Sequence, residues 1–352
     1  MKRFDYVRPE TVSEAIEALA AQNAAVLAGG TNLLDLMKGN VARPDRIVDL
    51  TRVSGLDAIE ALDDGGMRIG ALVKNSNLAY DETFAARYPM VAEGLLSGAS
   101  AQLRNAASVG GNLLQKPRCR YFLDPASACN RRSPGSGCDA IGGDTEGMAI
   151  LGWTESCIAV HPSDFCVPLA ALGAIVEVEG PDGSRELPLG DLHRLPGNTP
   201  DQETTLRARD IITAIRLPAD AARFADHSRY LKLRDRTSYA FAIVSAAAAL
   251  ELDGERIVEA RLALGGVAAK PWRCEAAEDA LKGRPATRES FETAAKAALQ
   301  EAKPVGENGF KIDLAARILV RALLRAKAGT PAQMPALPAS VFEPVEGEFD
   351  HV

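Results

Sequence analysis

Four thiols gathered in one irregular stretch carry the strongest chemical signal in this 352-residue chain. Cys119, Cys129, Cys138 and Cys157 follow one another at spacings of 10, 9 and 19 residues, among prolines, glycines, serines and aspartates. That composition makes poor core and good loop. Four thiolates in such a loop can hold a [4Fe–4S] cluster or a structural zinc ion. Free or disulfide-bonded cysteines are the third reading. The spacing selects none of them. The paired knuckles usual for zinc and the tight cysteine run of bacterial ferredoxins are both missing. Cys166 competes with Cys157 as fourth ligand, but its apolar neighbours in Phe165-Cys-Val-Pro-Leu169 read as core. Cys274 reads as structural too.

Two glycine pairs carry the second signal. Ala28-Gly-Gly-Thr-Asn-Leu-Leu34 ends a short apolar run. Glycine has no Cβ to keep a ligand away, and successive N–H groups in such a turn make an anion nest. Thr31 and Asn32 add side-chain donors, which suits a pyrophosphate. The Gly-Lys-Ser/Thr ending of a P-loop and the G-x-G-x-x-G fingerprint are absent. Arg104-Asn-Ala-Ala-Ser-Val-Gly-Gly-Asn112 reads as a second turn of similar chemistry, so that two nests could grip two ends of one extended ligand. The four histidines, His161, His193, His227 and His351, form no i, i+4 pair and no Ser/His/Asp arrangement. No side chain is singled out as catalytic acid, base or nucleophile.

The elements that must position these groups are short. Phe4–Val7, Ala24–Ala28, Arg46–Leu50 and Met67–Ile69 read as strands. Thr11-Val-Ser-Glu14 is a capping box that opens a helix through about Leu19. Helices are predicted near Leu78–Arg87 and Met90–Leu96. Ala174–Gly180 and Ser184–Leu187 flank the turn Pro181-Asp-Gly-Ser184 and form a hairpin. Residues 198–209 connect to a strand at Asp210–Leu217, and a domain boundary is placed near Pro218–Ala225. Phe241–Leu252 and Ile257–Gly265 read as a second hairpin, although Ala246–Ala249 fits a helix equally well. Phe291–Lys303 and Ile312–Lys327 are predicted helices. The residues from Gly329 onward read as an extended tail over the surface or over a partner.

Composition narrows the class. With 47% apolar and 25% charged residues the chain is an ordinary globular one. A net charge of −7 argues against nucleic acid, which needs a basic face. No apolar run approaches the roughly 18 residues that span a bilayer. The N-terminus lacks the apolar core of an export signal, so passage out of the cytoplasm would depend on a partner.

The ordered set Ala28–Leu34, Arg104–Asn112, Ser163-Asp164 and Leu262-Ala-Leu-Gly-Gly-Val267 with Pro271 resembles the FAD-binding subunit of the molybdenum hydroxylases. The likeness runs over about residues 1–330. The insert between Gly111 and Ser163, with Cys-Arg-Tyr-Phe122 and Pro134-Gly-Ser-Gly-Cys138, is similar to that of periplasmic aldehyde oxidoreductases, whose flavin subunit carries an additional [4Fe–4S] cluster. The resemblance implies an α+β fold: an FAD-binding domain at 1–222, of subdomains 1–58 and 59–222, with the iron–sulfur loop at 113–160. A small C-terminal α+β domain at 223–330 and a tail at 331–352 follow. It implies that Leu27, Ala28, Gly29, Gly30, Thr31, Asn32, Leu33 and Leu34 cradle the FAD pyrophosphate. Asn105, Ser108, Gly111 and Asn112 would contact phosphate and ribityl groups, and Leu113 would pack near the isoalloxazine. Asp164 would bond hydroxyls, Ile211 or Ile212 would cover the flavin, and Lys232 would sit at the ring's polar edge. Cys119, Cys129, Cys138 and Cys157 would hold the cluster.

The implied activity is electron relay. A large molybdenum-cofactor subunit oxidises an aldehyde, and a small subunit with two [2Fe–2S] clusters feeds this FAD. An external acceptor then takes the electrons. Acidic residues of the xanthine dehydrogenase pattern are replaced here by Ser238-Tyr-Ala-Phe241, which points away from NAD. The expected location is periplasmic by co-export, or cytoplasmic if the partner lacks a signal. A self-sufficient flavin oxidase and an assembly subunit with a zinc loop are the alternatives.

Overall fold

A computed structural model describes residues 1–342, and residues 343–352, the end of the expected tail, lie outside the described residues. The first of three sheets is parallel, with strands β1 (Asp5–Val7), β2 (Ala24–Leu27) and β3 (Arg46–Asp49) in the order β1-β3-β2. The helix Val12–Ala18 makes the first crossover. Thr11 Oγ1 accepts from the Glu14 N–H, while the Glu14 carboxylate accepts from the Glu10 N–H, one residue before the usual capping-box partner. Its apolar face, Ala15 and Ile16, packs on Val48, Leu50, Val53 and Leu56.

The second sheet is antiparallel: β4 (Ile59–Ala61), β5 (Met67–Gly70), β6 (Ile175–Gly180), β7 (Gly183–Pro188) and β8 (Ile211–Leu217), in the order β4-β5-β8-β6-β7. Alternation along β6 buries Val176 and Val178 and leaves its glutamates at the margin. Helices Asn75–Ala79, Glu82–Arg87 and Pro89–Ser97 precede β6 in the chain. The single helix expected at Leu78–Arg87 is broken at Asp81, whose carboxylate accepts from the Phe84 N–H and starts a new one.

The third sheet is antiparallel too: β9 (Ser228–Leu233), β10 (Val244–Asp253), β11 (Arg256–Gly265) and β12 (Trp272–Arg273), in the order β12-β11-β10-β9. The alanine run is a strand. Ala247 and Ala249 join the core of the second sheet, and Ala246 and Ala248 join the core beneath the long helix Phe310–Ala328. A period of two between two cores settles the choice against a helix.

The tail behaves differently from its expected surface course. Ala339 is fully buried, accepts from the Lys232 N–H at 2.8 Å, and donates its own N–H to Glu93 at 3.1 Å. Edge strand β9 has unpaired backbone groups to offer, and the tail takes them. The cysteine loop has one helical turn, Arg120–Leu123, and otherwise closes through side-chain-to-backbone bonds. Arg132 alone binds the carbonyls of Tyr121 and Phe122 at 2.9 and 2.7 Å, and that of Ser127.

Candidate functional site

The three sheets enclose a cavity of about 840 Å³. The turn after β2 forms one wall. Gly30 has φ +74°, a conformation that favours glycine, and a Cβ on Gly29 would lie 2.1 Å from the Ala106 carbonyl oxygen. The N–H groups of Gly30, Thr31 and Asn32 have no acceptor among the described residues. The Asn32 amide nitrogen is buried and unpartnered there as well. An open set of donors on a close-approaching backbone fits an anionic ligand.

The second glycine motif corrects the sequence reading. It is no turn but a short helix, Val109–Leu113, capped by Ser108, whose Oγ accepts from the Gly111 N–H at 3.3 Å. The N–H groups of Val109 and Gly110 are taken by the carbonyls of Val73 and Ala71, both at 2.9 Å. These donors are spent inside the protein, so this segment does not offer them as a second nest. Gly110 serves packing instead, since a Cβ there would meet Ala71 at 2.8 Å.

Of the residues expected at the cofactor, Leu27 to Leu33, Ser108, Gly111, Asn112, Asp164, Ile212 and Lys232 line the cavity, as does Ile211. Leu34, Asn105 and Leu113 do not. Leu34 and Asn105 are exposed, and Leu113 is fully buried on the far side. Helical geometry turns Leu113 into the core once Asn112 and Leu114 face the cavity. Asn75 and Arg118 line the cavity without any sequence signal. Asn75 Oδ1 and Arg118 Nε are buried and unpartnered among the described residues. Tyr239 and Phe241, both exposed, stand on the wall, with the Arg118 guanidinium 5.1 Å from the Phe241 ring centre.

Asp164 and Lys232 pair with each other in the cavity lining. Lys232 Nζ donates to Asp164 Oδ2 at 2.8 Å and to the Ser97 carbonyl at 3.3 Å, and Tyr230 Oη donates to Asp164 Oδ1 at 2.7 Å. Burial, with Asp164 beside it, pushes the Tyr230 phenol well above its ordinary pKa. The Lys232 charge is therefore matched by Asp164 before any ligand enters.

Two histidines fix the segment that leaves Leu113. His161 and His193 stack edge to face with ring centres 4.3 Å apart, and both Nε2 atoms reach the Leu113 carbonyl, at 3.3 and 2.7 Å. Burial lowers the pKa of both. With Cys166 they are the one set of three such donors within 4.8 Å among the described residues. Their Nε2 atoms already serve that carbonyl.

The four cysteines converge beside the cavity, and Cys119 itself lines it. All are free thiols. Burial pushes Cys119 up to about 11, with Cys157 and Cys129 close enough to add to the shift. Cys138 rises for the same reasons. Such thiols stay protonated until a soft metal displaces the protons. No three of the four sulfurs lie within 4.8 Å of one another. Arg131, buried, reaches Cys157 Sγ at 3.5 Å and Glu203 at 3.2 Å. Cys166 and Cys274 are buried in separate cores.

Family models agree with this architecture. The FAD binding domain in molybdopterin dehydrogenase matches residues 2–220, and the CO dehydrogenase flavoprotein C-terminal domain matches residues 229–326. The chain belongs to the FAD-binding medium-subunit family of the molybdenum hydroxylases, and it is an oxidoreductase subunit. It is 46% identical to the aldehyde oxidoreductase FAD-binding subunit PaoB of Escherichia coli (strain K12), over 93% of this chain and 99% of that one. It is 26% identical to the carbon monoxide dehydrogenase medium chain of Hydrogenophaga pseudoflava, over 91% and 96%. The solved carbon monoxide dehydrogenase from that organism superposes with a TM-score of 0.72 at 28% identity, covering 93% of this chain and 98% of that one. No helix among the described residues is long and apolar enough to cross a membrane.

Proposed function

We propose that this chain is the electron-transfer subunit of a heteromeric molybdenum-containing aldehyde oxidoreductase, with FAD in the cavity and a [4Fe–4S] cluster on Cys119, Cys129, Cys138 and Cys157. The observation that carries the reading is the shared wall: Cys119 belongs both to the thiol nest and to the cavity lining. The likeness to an aldehyde oxidoreductase subunit supports the substrate class. FAD, when bound, accepts electrons one at a time and releases them singly or in pairs. The chain's own residues bind and orient. The open donors after β2 hold the pyrophosphate, and Ile211 and Ile212 cover apolar surface. A large molybdenum subunit and a small subunit with two [2Fe–2S] clusters supply the electrons. An external acceptor other than NAD takes them, and co-export with a partner places the complex in the periplasm.

The test is the visible spectrum of the anaerobically purified complex before and after dithionite, with iron and zinc quantified. Flavin bands and a brown shoulder that both bleach, with iron beyond that of the small subunit, support the reading. Flavin with zinc in the loop removes the cluster. A colourless chain removes both cofactors.

A further inference from the structure

Lys311 is fully buried, yet its ammonium meets no carboxylate among the described residues. Its partners are three main-chain carbonyls: Met148 and Gly266, each at 2.7 Å, and Gly147 at 3.2 Å. An ammonium has three donors, so each proton has its own acceptor. A neutral amine has only two hydrogens and would turn its lone pair on the third oxygen. The three acceptors favour the charged form, while burial pulls the pKa down to about 7.

The location gives that charge a use. Gly147, Met148 and Gly266 all line the cavity. The Met148 side chain belongs to the small core that contacts Cys119 and Cys138. Lys311 thus lies one residue behind the wall that the cavity and the thiol nest share. Two other buried cations, Lys232 in the cavity lining and Arg131 beside Cys157, are already matched, by Asp164 at 2.8 Å and by Glu203 at 3.2 Å. Lys311 alone of these three carries its ammonium without a carboxylate partner among the described residues. Reduction adds negative charge to groups on the other side of the wall, where a low dielectric preserves the attraction.

We propose that Lys311 tunes the redox site electrostatically: its caged ammonium, behind Gly147, Met148 and Gly266, favours the electron-rich state of the bound flavin. The proposal rests on the cofactor reading above. Lys311 touches no reacting atom and acts through the wall as a positioning charge.

The experiment is an anaerobic redox titration of the assembled complex, with FAD and iron contents measured alongside. Asn308 Nδ2 also binds the Met148 and Ala149 carbonyls, at 3.3 and 3.1 Å, so the wall keeps an anchor when the lysine is replaced. In Lys311→Met with full FAD and iron, the equilibrium constant for flavin reduction falls at least tenfold, about 30 mV for a two-electron couple. Lys311→Arg restores it. An unchanged potential in a fully loaded Lys311→Met complex overturns the proposal. Should that variant lose a cofactor, Lys311→Gln is read in the same way. Loss from both neutral variants also overturns it and makes the lysine a structural staple. A wild-type complex without flavin sinks the cofactor reading instead.

Discussion

The cavity and the thiol nest share a wall but are made by opposite means. The cavity is framed by regular elements pressed together at glycines, where the Gly29 and Gly110 backbones touch their neighbours with no room for a methyl group. The nest has almost no regular structure and depends on Arg132, Asn130 and Asp139 bonding loop backbone. Close-packed backbone gives steric precision over a long ligand. A tied loop gives convergence of four side chains from distant positions. The first kind of site is disabled by added volume, and the second by the loss of a converging side chain.

Substitutions can separate the two. The largest effect is expected from Gly29→Val, whose side chain displaces the 104–108 segment. FAD affinity falls at least 1,000-fold, about 4 kcal/mol, while loop iron remains; flavin absorbance against iron content reads both. Cys129→Ser does the reverse, removing loop iron and keeping FAD, and Cys274→Ser leaves both cofactors. Retained iron in Cys129→Ser would remove that residue from the ligand set. Lys232→Met leaves Asp164 buried without its cation and destabilises the fold by about 3 kcal/mol, measured by thermal unfolding. An unshifted melt would mean that Tyr230 alone satisfies Asp164.

The smallest effect is pH-dependent. His161 and His193 are held neutral by burial, so their folded pKa values lie below the ordinary 6.5. The unfolded chain takes up protons that the folded one refuses. Stability is therefore full above about pH 6.5 and is lost as the pH falls, by up to about 1.4 kcal/mol per unit for each imidazole. Melting temperatures from pH 7 to 5 should fall less steeply in His193→Gln.

Much of this was legible in the sequence where local chemistry decides. The turn after β2, the hairpins β6–β7 and β10–β11 and the first helix follow from glycines, turn residues and a cap. The motif at Arg104–Asn112 was misread because glycine there answers a packing demand from Ala71, a residue more than thirty positions away. Leu113 was placed at the ring because a motif gives order but not which side of a helix faces inward. Asn75, Arg118 and Lys311 carried no signal at all. Each owes its place to chain from another part of the fold, and an isolated asparagine, arginine or lysine in a sequence looks like surface.

The docked tail has a consequence for how the molecule is made. Glu93 accepts from Arg229 at 3.0 Å, from the Tyr230 N–H at 2.9 Å and from the Ala339 N–H at 3.1 Å. One carboxylate near the start of the chain thus waits for partners more than a hundred and more than two hundred positions later. Contacts of such separation form slowly, because long loops close before they are rewarded. During synthesis the helix Pro89–Ser97 emerges early and carries an acid, buried in the finished fold, whose partners have not yet been made. The packing around Glu93 is completed only once residue 339 has been made, so this part of the fold closes last.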